Sequence, residues 1–157
     1  MEPAVDLGGA AMIVLTTGYA GHSPSRLKEI AERDNALVMD IRYRPVSKAP
    51  MWCGAALVKL LGDRYTQNSY WGNKRYLQGP PIQINSLPLG LKWFYEITEQ
   101  RKPDAVILLC KCRSETECHR GVIARYLREQ GLQVRELEWT NREHETREKE
   151  PLQPSLF

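Results

Sequence analysis

A chain of 157 residues that is 42% hydrophobic can bury one ordinary core and is short of what two domains usually need. Its formal net charge of +3 tolerates an anionic partner such as nucleic acid without demanding one, and no apolar run is long enough to span a bilayer. Glu2 and Asp6 stand where a secretion signal would carry Lys or Arg, so the expectation is a soluble, cytoplasmic protein, in whose reducing surroundings clustered cysteines are ligands, reactive thiols or buried hydrophobes rather than disulfides.

The run AMIVLT, Ala11 to Thr16, is short, apolar and β-branched, and it ends in the turn-rich TGYAGHSPS: a strand, then a loop. From Ser25 to Arg33, Leu27, Ile30 and Ala31 recur at helical spacing, with Ser23 or Ser25 as N-cap. ALVMDIR, Ala36 to Arg42, reads as a second strand running into Pro45 and Pro50, which forbid regular pairing. A helix is expected over Cys53 to Leu61, a short strand near Arg64 to Asn68, and then the irregular YWGNKRYLQGPPIQINSLP. Pro88 suits the first turn of a helix carrying Leu91, Phe94, Tyr95 and Ile97. AVILLC, Ala105 to Cys110, is the most apolar stretch and suits a strand buried on both faces. A helix follows from Cys118 to Gln130, with Gly131 as its terminator, and QVRELEW, Gln133 to Trp139, reads as an edge strand.

Strands alternating with helices predict a single Rossmann-like, three-layer α/β domain over residues 10–139, built on a mainly parallel sheet. Residues 140–157 are charged and proline-containing, which predicts a flexible tail. Ligands of such sheets bind beyond the carboxyl ends of the strands, where loops and helix N-termini converge. Three loops meet there: TGYAGHS, DIRYRP and CKCRSETECHRG. Asp40, Cys118 and His119 are thereby candidate catalytic groups, with His22, Ser23, Arg42 and Arg120 as candidates for holding a substrate anion. A thiol at a helix start beside His119 and Arg120 is favoured as thiolate. The plainer alternative makes Asp40 and Arg42 an ion pair that holds a loop.

Cys110, Cys112, Cys118 and His119 also offer four soft zinc ligands, the one cofactor alternative. Against it, Cys118 and His119 are neighbours pointing in different directions, and C-x-C-x5-C-H matches no common structural zinc spacing. Cys110 could equally be a core residue with the others incidental. No cysteine here satisfies the Cys, five residues, Arg pattern of phosphatases and rhodaneses, which argues against phosphoenzyme chemistry of that kind.

TTGYAGHS near the start, VMDIRYRP after the second strand, YWGN in the middle, and LLC followed eight residues later by CHR together resemble the domain-of-unknown-function 488 family. The resemblance runs from Met12 to Trp139 and implies a small α/β fold with CHR at a helix start, without implying a settled reaction. The family carries a glutamate two residues after the LLC cysteine, where this chain has Cys112. If that carboxylate takes part in chemistry, this member has altered or lost the activity.

The central segment interleaves Trp71 and Tyr76 with Lys74 and Arg75, the mixture by which single-stranded nucleic acid is stacked and its phosphates held; the alternative is a loop anchored to the core by its aromatics. The chain ends in QPSLF, in which Gln153, Leu156 and Phe157 match the peptide that bacterial DNA sliding clamps bind. The resulting expectation is an enzyme of hydrolysis or transfer at a phosphorylated nucleoside unit, recruited to DNA, as in repair, by its tail. The alternatives are a non-catalytic, DNA-associated adaptor that binds a nucleotide or metal, and a small zinc-binding structural protein.

Overall fold

The computed structural model describes residues 12–111 and 118–140. They form a five-stranded, all-parallel sheet in the order β3-β2-β4-β1-β5, covered on both faces by helices. The strands are β1 (Ile13–Gly18), β2 (Ala36–Asp40), β3 (Tyr65–Gln67), β4 (Ala105–Cys110) and β5 (Val134–Glu136). The helices are α1 (Pro24–Asp34), α2 (Gly54–Leu61), α3 (Leu87–Arg101) and α4 (His119–Glu129). The α/β reading therefore holds, and the sheet is parallel throughout.

β4 explains why the sheet closes as it does. It lies between β1 and β2, with Ile13 opposite Ala105 on one side and Ala36 opposite Ala105 on the other. All six of its residues are buried, and Val106, Ile107, Leu108 and Leu109 are fully so. Each of those side chains contributes on the order of 1.5–3 kcal/mol. Alternate residues face opposite layers. Val106, Leu108 and Cys110 pack with Phe94 and Ile97 of α3 and with Ile123 and Leu127 of α4. Ile107 and Leu109 pack with Leu27 and Ile30 of α1 and Leu57 of α2. Crossovers that travel toward β3 thus use one face and those that return use the other, as a single crossover hand requires.

Local chemistry sets the helix boundaries. Ser23 caps α1 by accepting from Arg26 N at 3.2 Å, and Pro24 occupies the first turn, so the helix starts one residue before the expected Ser25. Ser86 caps α3 in the same way, accepting from Leu89 N at 3.2 Å. Cys118 holds the N-cap position of α4. No helix among the described residues is long and apolar enough to cross a membrane.

Candidate functional site

Beyond the carboxyl ends of β1, β2 and β4 lies a crevice of about 910 Å³. Its walls are Tyr19, the loop from Arg42 to Lys48, and parts of the segment between Asn73 and Ile82; Lys111, Cys118 and His119 complete it. Among the described residues, five cations reach its lining, Arg42, Arg44, Lys48, Arg75 and Lys111, and no Asp or Glu does. Among the described residues, Arg44, Lys48, Arg75 and Lys111 make no ion pair. Tyr76, Leu77, Val46 and Ile82 are exposed apolar surface on the same walls. An anion bearing an apolar ring system matches both halves of this lining.

Asp40 and Arg42 sit beneath the crevice as a buried pair. Asp40 is fully buried and Arg42 is 7% exposed. Arg42 grips the carboxylate with two parallel hydrogen bonds, Nε to Oδ1 at 2.7 Å and Nη2 to Oδ2 at 2.5 Å. Arg42 N adds a bond to Oδ1 at 3.2 Å, and the Tyr65 hydroxyl donates to Oδ2 at 2.5 Å. Burial, with the Asp40 charge beside it, pushes the Tyr65 phenol well above the usual tyrosine value, so it stays a donor. Burial alone would lower the Arg42 guanidinium, but its bond to Asp40 and the attraction of that carboxylate outweigh this and raise it. The rest of Arg42 is used locally: Nη1 reaches the Val46 carbonyl at 3.4 Å, and the guanidinium lies 5.2 Å from the Tyr19 ring centre. Tyr19 in turn stacks on Trp52 at 4.6 Å. A carboxylate that already accepts four hydrogen bonds is a poor general base. Asp40 has the geometry of an anchor that shapes the loop from Ile41 to Lys48.

Cys118 and His119 do line the crevice, as expected from their place at a helix start. His119 Nε2 lies 2.9 Å from the Ile41 carbonyl oxygen. A carbonyl can only accept, so Nε2 carries a proton, and the other ring nitrogen, Nδ1, lies 3.7 Å from Cys118 Sγ. Cys118 Sγ also touches Cys110 Sγ at 2.9 Å. A thiol with a base oriented by a third group is the arrangement that nucleophilic cysteines share.

Four expected binding residues lie elsewhere. Arg120 is fully buried, not exposed to an anion; it donates from Nη2 to Glu136 at 2.7 Å and from Nη1 to Cys110 Sγ at 3.5 Å, tying α4 to β5. Ser23 is a helix cap. His22 stacks on Trp139 at 3.9 Å and lines a separate cavity of about 450 Å³ on the β5 side of β1. Trp71, expected to stack a base, is fully buried against Phe94 and donates from Nε1 to the Leu87 carbonyl at 3.1 Å, leaving no open ring face. Of its segment, Arg75 and Tyr76 line the crevice and Lys74 is exposed outside the lining.

Arg44, Lys48 and Lys111 were missed as candidates. The signal was available: all three follow strand ends in loops already placed at the ligand-binding edge of the sheet. Cys112, needed for the zinc reading, and Gln153, Leu156 and Phe157 of the terminal peptide lie outside the described residues. Among the described residues no group of three His, Cys, Asp or Glu side chains could hold a metal ion. No protein-family model matches the chain, and neither does any curated protein or solved structure compared with it.

Proposed function

We propose that the crevice binds a phosphorylated nucleoside unit, alone or within a single strand, and that Cys118, activated by His119, carries out hydrolysis or transfer on it. The observation that supports this most is the lining itself, which among the described residues carries five cations, no carboxylate, and exposed tyrosine and aliphatic surface beside them. Phosphate charge would meet Arg44, Lys48, Arg75 and Lys111, and a base would lie against Tyr76. The residues that resemble the 488 family, DIR and CHR above all, bear on this reading, since Arg42, Cys118 and His119 line the crevice.

Binding of a labelled single-stranded oligonucleotide and of a mononucleotide, followed by anisotropy across a salt series, tests the proposal. If these four cations each neutralise a phosphate, affinity for the strand should fall with a log–log salt slope of about −3. Arg44→Glu with Lys48→Glu should weaken binding at least tenfold, since each charge-assisted hydrogen bond to a phosphate is worth about 1.5–3 kcal/mol. Undiminished affinity in the double variant, or no binding by the wild type at low salt, would remove the crevice from consideration.

The saturated state of Asp40 favours a second reading, a non-catalytic adaptor that only holds its nucleotide or strand. Cys118→Ser separates the two. On the enzymatic reading it binds substrate and turns none over; an adaptor shows no turnover in the wild type either.

Recruitment to DNA through QPSLF belongs to the same proposal and rests on sequence alone. Leu156 and Phe157 would each contribute on the order of 1.5–3 kcal/mol in an apolar pocket, leaving roughly micromolar affinity after the peptide's ordering cost. Deleting Gln153 to Phe157 should abolish binding to a bacterial sliding clamp in surface plasmon resonance without moving the melting temperature. Equal responses from full-length and truncated protein would end the recruitment idea.

A further inference from the structure

Two sulfurs meet where β4 ends and α4 begins. Cys110 Sγ, on the last residue of β4, lies 2.9 Å from Cys118 Sγ, at the N-cap of α4. A disulfide holds its sulfurs about 2.05 Å apart, so closing the gap takes a relative movement of only about 0.9 Å, within reach of small side-chain rotations.

The pair is asymmetric in a way that assigns roles. Cys118 is 3% exposed and contributes to the crevice lining, and His119 Nδ1 stands 3.7 Å from its sulfur with the ring fixed by the Ile41 carbonyl. The first turn of α4 favours a thiolate at the same place. Cys110 is 1% exposed and is not part of the crevice lining. The Arg120 guanidinium, 3.5 Å from the Cys110 sulfur, favours its thiolate.

We propose that Cys118 and Cys110 are an attacking and a resolving thiol that close reversibly into an intramolecular disulfide at the expense of a low-molecular-weight disulfide. The Cys118 thiolate, its proton taken by His119, attacks one sulfur of the small disulfide, forms a mixed disulfide and expels one small thiolate. The Cys110 thiolate then attacks the Cys118 sulfur, forms the internal bond and expels the second. Two electrons pass from the cysteine pair to the small disulfide, which leaves as two thiols carrying the two cysteine protons. Closure consumes Cys118, so the crevice has a reversible state in which its nucleophile is withdrawn. Neither the pair nor its test depends on what the crevice binds.

The full-length protein is exposed to glutathione disulfide, alkylated with iodoacetamide, digested with trypsin and mapped by mass spectrometry. Lys111 and Arg113 allow trypsin to place Cys110, Cys112 and Cys118 on separate peptides. The wild type should yield a peptide pair joined through Cys110 and Cys118, two hydrogens lighter than the reduced peptides together, with both sites lost to alkylation and restored by dithiothreitol. Cys110→Ser should stop at one glutathione on Cys118, and Cys118→Ser should leave Cys110 alkylatable. The wild-type map alone decides the matter if a variant misfolds. A bond made through Cys112, a glutathione found first on Cys110, or Cys110 and Cys118 both fully alkylated after exposure overturns the proposal.

Discussion

Asp40→Ala should destabilise the domain by about 3–5 kcal/mol, a large part of the roughly 5–15 kcal/mol that holds such a domain together. Removing the carboxylate strands the Arg42 guanidinium, which is 7% exposed, and takes the acceptor from the Tyr65 hydroxyl. Arg42→Ala should do comparable harm, because it leaves Asp40 fully buried with Tyr65 as its remaining side-chain donor. Tyr65→Phe removes one bond of the set and should cost about 1.5 kcal/mol. At this chain length each kcal/mol moves the melting temperature by about 2–4 °C, so thermal unfolding resolves the three variants easily. The comparison also bears on mechanism. An Asp40→Ala protein that melts with the wild type but has lost turnover would return Asp40 to the catalytic group, since a structural anchor cannot be removed silently.

The reason this pair was ambiguous in the sequence is physical. DIR after a strand places Asp40 and Arg42 at the ligand-binding edge, and an arginine there can face an incoming anion or turn back onto a carboxylate. Residue order alone does not distinguish the two. The structure brings the guanidinium onto Asp40 with paired bonds, and Arg120 likewise turns onto an acidic partner, donating from Nη2 to Glu136, sixteen residues further along the chain. Both arginines of the DIR and CHR triplets are therefore engaged with acidic partners, while Arg44, Lys48 and Lys111, outside those triplets, supply the exposed charge. Motif logic located the right edge of the sheet and chose two inward-turned cations there.

What periodicity and composition could carry, they carried. A six-residue run without a polar side chain, AVILLC, has few places to go except the centre of a parallel sheet, and β4 lies there between β1 and β2. The pairs Leu27 with Ile30 and Ile123 with Leu127 mark the buried faces of α1 and α4. Cys118 and His119 were placed correctly at the start of α4, because a turn-rich loop followed by helical spacing fixes such a boundary well. Side-chain burial within an irregular segment was much less legible. Trp71 stands among Lys74, Arg75 and Tyr76, so composition points to a nucleic-acid surface, yet its ring is covered by α3. The segment is held by devices that leave faint traces in sequence: Asn73 Oδ1 accepts from both Arg75 N and Gln83 N at 3.0 Å, and Ser86 N donates to the Tyr70 carbonyl at 2.7 Å.

Two glycines give that packing its sharpest test. A Cβ added at Gly72 would overlap the backbone N and Cα of Tyr43, and one added at Gly90 would overlap the indole of Trp71. Neither neighbour can yield cheaply. Tyr43 belongs to the loop anchored by the Asp40–Arg42 pair, and Trp71 is fully buried, packed on Phe94 and bonded to the Leu87 carbonyl. Overpacking of this kind typically costs about 1–3 kcal/mol, and more where the struck atoms are backbone. Gly72→Ala and Gly90→Ala should therefore both lower the urea midpoint. Gly72→Ala should in addition weaken oligonucleotide binding beyond what stability explains, because it drives the Tyr43 and Asn73 walls of the crevice apart. Gly90→Ala acts beneath the wall and should leave the affinity of the folded fraction nearer to that of the wild type. If Gly72→Ala unfolds at the wild-type urea concentration, the close approach of these two loops is not what shapes the crevice. Equal affinity losses in the two variants would place the binding determinant away from the Tyr43 wall.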